Sequence, residues 1–195
     1  MLIDYNENQF ENSLVDDLEI FLRKSPWSWG FKSSNYLFSR SIPHWSIIFG
    51  GVSSQDEEYY DCEQELNGIV KNIWTSLKKE YFSDDVLVRC YANAITRGID
   101  QKIHTDDYHP ESKTCILYIN KEWNVDWGGE TIIWDKEKRR IVDSYLPKYN
   151  STLLISGNCH HGVRPVSSYC DDLRMTLMFK TRPCESLNLK SRTHC

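Results

Sequence analysis

The chain has no apolar run approaching the roughly 20 residues a membrane helix needs. It also has no internal repeat and no low-complexity segment. Its cysteines, at positions 62, 90, 115, 159, 170, 184 and 195, are odd in number and include no Cys-x-x-Cys pair. A disulfide scaffold and a cysteine-based zinc module are thereby disfavoured, and reduced, mostly buried thiols are expected. Basic residues are the minority, 23 Lys and Arg against 28 Asp and Glu, for a formal net charge of −5. That balance, with no Lys/Arg stripe, counts against a protein built to bind nucleic-acid phosphates. The residues from Met1 to Glu7 lack the basic start and apolar stretch of a secretion signal, so a cytoplasmic location is expected. Disorder is excluded by what is present: 13% of the residues are aromatic, including seven Trp and eleven Tyr. The 195 residues suffice for one domain with a sizeable core.

The period of the apolar residues divides the chain. Phe10, Leu14, Leu18, Phe21 and Leu22 approximate one face of a helix that Pro26 ends, and the Trp27–Gly30 stretch after it reads as a packed loop. Leu66, Ile69, Val70, Ile73, Trp74, Leu77 and Tyr81 follow helical spacing closely and predict a second amphipathic helix. From about residue 86 the period becomes two. Segments 86–91, 113–119, 130–134, 139–142, 152–156 and 174–180 read as strands, separated by turn signals such as Gly128-Gly129, Pro147 and Gly157-Asn158. Short strands without intervening helices imply antiparallel pairing in a sandwich or barrel. The expected organisation is a helical region over 1–84 bracing the sheet, a β core over 85–182 and a polar tail over 183–195, one compact domain overall.

Three features of the β half carry chemistry. His104 and Asp106 stand two apart, so an extended backbone points them to the same side. His161 follows 57 positions later, and Arg174 thirteen after that, opening the last strand. Two His and one carboxylate on one face of a metal, with the other positions open, form the ligand set of non-haem Fe(II) oxygenases. Arg174 is suited to hold the far carboxylate of a keto-acid cosubstrate through parallel hydrogen bonds. Thr176, on the same strand face, can add a hydroxyl.

These motifs resemble the prolyl 4-hydroxylase-like branch of the 2-oxoglutarate- and Fe(II)-dependent dioxygenases. The resemblance runs from about Val86 to Lys180. It is carried by Arg89-Cys90-Tyr91-Ala92-Asn93 ahead of His104-Thr105-Asp106, by the strand from Thr114 to Trp123, by Trp127-Gly128-Gly129-Glu130-Thr131, and by His161-Gly162-Val163-Arg164-Pro165-Val166. The strand from Thr114 is similar to the core strand of hypoxia-sensing prolyl hydroxylases. The gap from His161 to Arg174 exceeds the family's usual one, through an insert around Tyr169–Asp172. The gap from Tyr91 to His104 is also slightly long.

The resemblance implies an α+β, mainly β fold: a double-stranded β-helix (jelly-roll) core with flanking N-terminal helices. It implies Fe(II) held by His104, Asp106 and His161, with 2-oxoglutarate and O2 as cosubstrates and ascorbate as an optional reductant. Arg174 and Tyr118 would hold the C5 carboxylate of 2-oxoglutarate, and Tyr91 would lie near the iron and the C1 end. The implied activity is hydroxylation of an unactivated C–H bond, first of a prolyl residue in a peptide or protein. A free amino acid or other small metabolite is the alternative substrate, and a non-catalytic jelly-roll metal-binding module the alternative to an enzyme. The register of Val163 and Pro165 favours His161 over His160 as ligand. A zinc site using His109 and Asp106 would leave Arg174 and Tyr118 idle. Trp123, Trp127 and Trp134 read as core or pocket wall, and Glu130 as a residue that satisfies turn amides. Cys159 reads as a buried small residue, close enough to the implied iron to be open to oxidation.

Overall fold

The computed structural model describes residues 2–32, 42–51, 59–99 and 101–186. Over these the chain runs β1 (Ile3–Asn6), α1 (Asn12–Lys24), β2 (Ser28–Phe31), β3 (His44–Gly51), α2 (Gly68–Tyr81), β4 (Asp85–Ile95), β5 (Lys113–Tyr118), β6 (Thr131–Trp134), β7 (Ile141–Tyr145), β8 (Ser151–Ser156), β9 (His161–Val163) and β10 (Arg174–Pro183). One sheet has the order β1-β8-β5-β10-β4-β3-β2 and the other the order β7-β6-β9. Every strand pair in them is antiparallel. This is the double-stranded β-helix, with two helices against the outer face of the large sheet.

Alternation along β10 explains the layering. Leu177 and Phe179 point outward and join Leu18, Leu22, Trp74 and Leu77 of the helices in the larger core. Trp74 is fully buried and stacks between Phe82 and Phe179, at 5.5 and 5.6 Å between ring centroids. Met178 points the other way and joins Tyr91, Ile116, Tyr118, Ile133, Leu153 and Ile155 between the sheets. Cross-strand partners share a face. The pairs Thr176–Asn93, Met178–Tyr91 and Lys180–Arg89 therefore all look into the space between the sheets.

Both helices form where the apolar period expects them, although Phe21 is 41% exposed and leaves the α1 stripe to Val15, Leu18 and Leu22. The first 84 residues are not helical throughout. They also supply β1, β2 and β3, which extend both edges of the large sheet. The stretch after Pro26, read as a loop, is the edge strand β2. Its residues are largely exposed, so a buried face left no apolar alternation to read. Cys62, Cys90, Cys115, Cys159 and Cys170 are buried thiols. The tail expected over 183–195 lies outside the described residues from 187 onward. No helix among the described residues is long and apolar enough to cross a membrane.

Candidate metal centre and cosubstrate pocket

Two hydrogen bonds bring together residues 57 positions apart. His104 and His161 pair as an isolated antiparallel bridge, each backbone N–H donating to the other's carbonyl at 2.9 Å. Residues paired this way project their side chains to the same side, and the two imidazole centroids lie 4.5 Å apart. The turn after β8 adds Asp106, because the Asp106 and Asp107 amides both donate to the Gly157 carbonyl. One donor atom from each of His104, Asp106 and His161 then lies within 4.8 Å of the others.

The tautomers suit a cation. His104 Nδ1 lies 2.8 Å from the Lys102 carbonyl, and His161 Nδ1 3.0 Å from the Cys159 carbonyl. A carbonyl only accepts, so both Nδ1 atoms carry the proton and both Nε2 lone pairs are left for a metal. Those Nε2 atoms face Asp106 at 3.6 and 3.5 Å. Burial pushes the His161 imidazole down to about 4, keeping it neutral at physiological pH. Burial opposes ionisation of Asp106, but the Lys180 ammonium and the two imidazoles outweigh it and hold the carboxyl well below the usual carboxylate range. Lys180 Nζ lies 2.7 Å from Asp106 Oδ1, and Thr114 Oγ1 donates to Oδ2 at 2.8 Å.

The other end of β10 holds Arg174, which is 2% exposed. Its Nε donates to the Gly129 carbonyl at 2.6 Å and its Nη2 to Thr131 Oγ1 at 3.0 Å. Tyr118 donates to the same Thr131 oxygen at 2.8 Å, with the guanidinium 5.5 Å from the Tyr118 ring centroid. Burial, against the pull of Arg174, raises the Tyr118 phenol to about 12, so it remains a neutral donor. Arg174 makes no salt bridge among the described residues, although buried cations ordinarily have one. Glu130 acts on the guanidinium only through its charge, without a salt bridge, so the corner suits a further carboxylate. Thr176 is buried opposite Tyr118 across the β5–β10 ladder. Tyr91 is buried at the other end, its ring centroid 5.4 Å from Lys180 Nζ.

The Gly128-Gly129 turn seats the guanidinium. Gly129 has φ +74°, and a Cβ there would lie 3.0 Å from Arg174 Cδ and 3.2 Å from Trp123 Cζ2. Gly129→Ala is therefore expected to cost about 1–3 kcal/mol in urea unfolding, from backbone strain and crowding together. It should also weaken carboxylate binding through the displaced guanidinium. Trp123 donates to the Gly128 carbonyl at 2.9 Å and meets Trp127 edge-on at 5.2 Å. These two Trp residues brace the turn.

Sequence reasoning passed over His44, Lys180, Thr114 and Thr131. The signal for Lys180 lay in the period of two counted from Arg174. His44, fully buried on β3, lies 3.2 Å from Asn93 Oδ1 and packs edge-on against Phe31. Burial pushes it down to about 4. The unfolded chain takes up this proton near 6.5 and the folded chain only near 4. Stability is therefore expected to fall as pH drops through that window, by up to about 3 kcal/mol from His44 alone. Urea unfolding across pH should show a shallower decline for His44→Gln.

The rival ligands do not join the triad. His109 Nδ1 accepts from the Glu111 amide within its own turn, and the His160 carbonyl accepts from Trp134. The insert before Arg174 docks on α1, where Asp172 takes both Arg23 Nη atoms at 2.8 and 2.7 Å.

Two imidazoles that turn Nε2 toward an ionised carboxylate, with a buried cation across the pocket, fit a divalent metal and a dicarboxylate. Fold and site together define a jelly-roll, iron- and keto-acid-dependent oxygenase. Residues 87–179 match the family model of the 2OG-Fe(II) oxygenase superfamily. That stretch, just under half of the chain, is the β core that carries the triad and Arg174, and the chain is a 2-oxoglutarate-dependent non-haem iron dioxygenase. A comparison with curated proteins finds no match. Among solved structures, a Pseudomonas putida prolyl-4-hydroxylase is similar at 13% identity, covering 92% of each chain with a TM-score of 0.66. A Trichoplax adhaerens prolyl hydroxylase, in complex with a hypoxia inducible factor oxygen degradation domain peptide fragment, is 18% identical, covering 97% of this chain and 87% of that one with a TM-score of 0.64. HygX from Streptomyces hygroscopicus, with nickel and 2-oxoglutarate bound, is 9% identical, covering 93% and 83% with a TM-score of 0.60.

Proposed function

We propose that this dioxygenase hydroxylates a prolyl residue of a peptide or protein. In this reading His104, Asp106 and His161 hold Fe(II), and Arg174, Tyr118 and Thr176 hold the C5 end of 2-oxoglutarate. Tyr91 flanks the C1 end. The metal and cosubstrate, with O2, supply the oxidising power. The chain's own residues fix the Nε2 lone pairs, keep Asp106 ionised and aim the cosubstrate. The observation that carries the oxygenase reading is Arg174, a buried guanidinium without a salt bridge across the pocket from the triad. A structural metal module has no use for it.

The prolyl assignment is supported by the Thr114–Trp123 strand and by the likeness to prolyl hydroxylases, one of them bound to a peptide. The test is succinate release with Fe(II) and 2-oxoglutarate against proline-containing peptides, their alanine-substituted counterparts and free L-proline. Proline-dependent release that adds 16 Da to the peptide is the expected result. Release with L-proline alone would move the assignment to a free amino acid.

A further inference from the structure

Lys180 is the pocket cation to which the roles above assign no ligand. It sits on the same face of β10 as Arg174, six residues on, at the opposite end of the pocket. Its side chain is 14% exposed, and its ammonium pairs with the carboxylate of the triad itself. Arg89 lies beside it across the ladder, with its guanidinium 4.7 Å from the centroid of the Tyr91 ring that Lys180 also approaches. Asp106 has Lys180 as its ion partner at 2.7 Å only while no metal competes for that carboxylate. Once a divalent ion draws on Asp106, the ammonium is next to the metal with its partner shared.

We propose that Lys180, beside Tyr91, receives a ligand carboxylate bound next to the metal, so that β10 brackets the pocket with a cation at each end. The carboxylate has two sources: the C1 end of the keto acid, or a carboxylate carried by the substrate. Lys180 is then a binding residue, and more than a counter-charge for Asp106. This inference rests on the oxygenase reading of the site.

The experiment is anaerobic calorimetry on the Mn(II)-loaded wild type, Lys180→Met, Lys180→Gln and Lys180→Arg, with Mn(II) affinity measured first. Two neutral variants are used so that one misfolded protein does not decide the matter. If the keto acid is the source, both neutral variants bind 2-oxoglutarate at least about tenfold more weakly, the scale of one charge-assisted hydrogen bond. Their Mn(II) affinity is undiminished and Lys180→Arg restores much of the loss. If the substrate is the source, 2-oxoglutarate affinity is unchanged. The wild-type ternary complex then binds free L-proline better than N-acetyl-L-prolinamide, and the neutral variants lose that preference. Unchanged 2-oxoglutarate affinity with no such preference overturns the proposal, as does a change confined to Mn(II) affinity or melting temperature. Wild type that binds Mn(II) but no 2-oxoglutarate sinks the oxygenase reading and this inference with it.

Discussion

An Asp106→Ala protein is expected to lose stoichiometric Mn(II) binding, measured by calorimetry on the apoprotein. The affinity loss should exceed the roughly 10- to 100-fold cost of removing an outer-shell partner, because a ligand charge is removed outright. The same substitution strands the Lys180 ammonium, whose carboxylate at 2.7 Å disappears. Breaking one side of a buried ion pair costs about 3–5 kcal/mol. Lys180 keeps a little solvent access, so about 3 kcal/mol in urea unfolding is the expectation. The double variant Asp106→Ala/Lys180→Met separates the two effects. It should regain most of the lost stability and none of the metal affinity. A single variant that still binds Mn(II) as tightly as wild type would show that the triad is not the metal site.

Arg174→Met divides the site the other way. Mn(II) affinity is expected to stay at the wild-type level, because the guanidinium bonds to Gly129 and Thr131 and not to the triad. Binding of 2-oxoglutarate to the metal-loaded protein should fall by about 2–5 kcal/mol, the cost of leaving a buried carboxylate without its cation. That is roughly 30- to 5000-fold. The apoprotein should be no less stable than wild type, because a buried charge without an ion partner is traded for an apolar chain of similar length. Equal 2-oxoglutarate affinity in the two proteins would remove Arg174 from the cosubstrate pocket. Loss of Mn(II) affinity would place it in the metal site instead.

The elements that announced themselves in the sequence are those with one buried face. α2 buries Val70, Ile73, Trp74 and Leu77 on one side, a pattern that only a helix produces. β10 alternates between Leu177 or Phe179 toward the helices and Thr176 or Met178 toward the site. β2 carried no such pattern because an exposed edge strand needs none. β3 was passed over as well, although it brings His44 into the inner space. His104 and Asp106 were legible because strand geometry alone places residues two apart on one side. His161 was legible as the later histidine of an ordered set, with motif resemblance separating it from His160.

Composition and spacing were enough to determine a mainly antiparallel β fold braced by helices, because burial periodicity is local and survives in one dimension. With the motif resemblance they also pointed to imidazoles, a carboxylate and a guanidinium of the right chemical kind for iron and a keto acid. Their meeting was decided only in three dimensions. The His104–His161 bridge closes a 57-residue separation, the Gly129 carbonyl turns Arg174 into the pocket, and Lys180 reaches Asp106 from 74 residues away. Each contact depends on strand order and register, which depend on how the strands pair across the whole chain and not on any one segment.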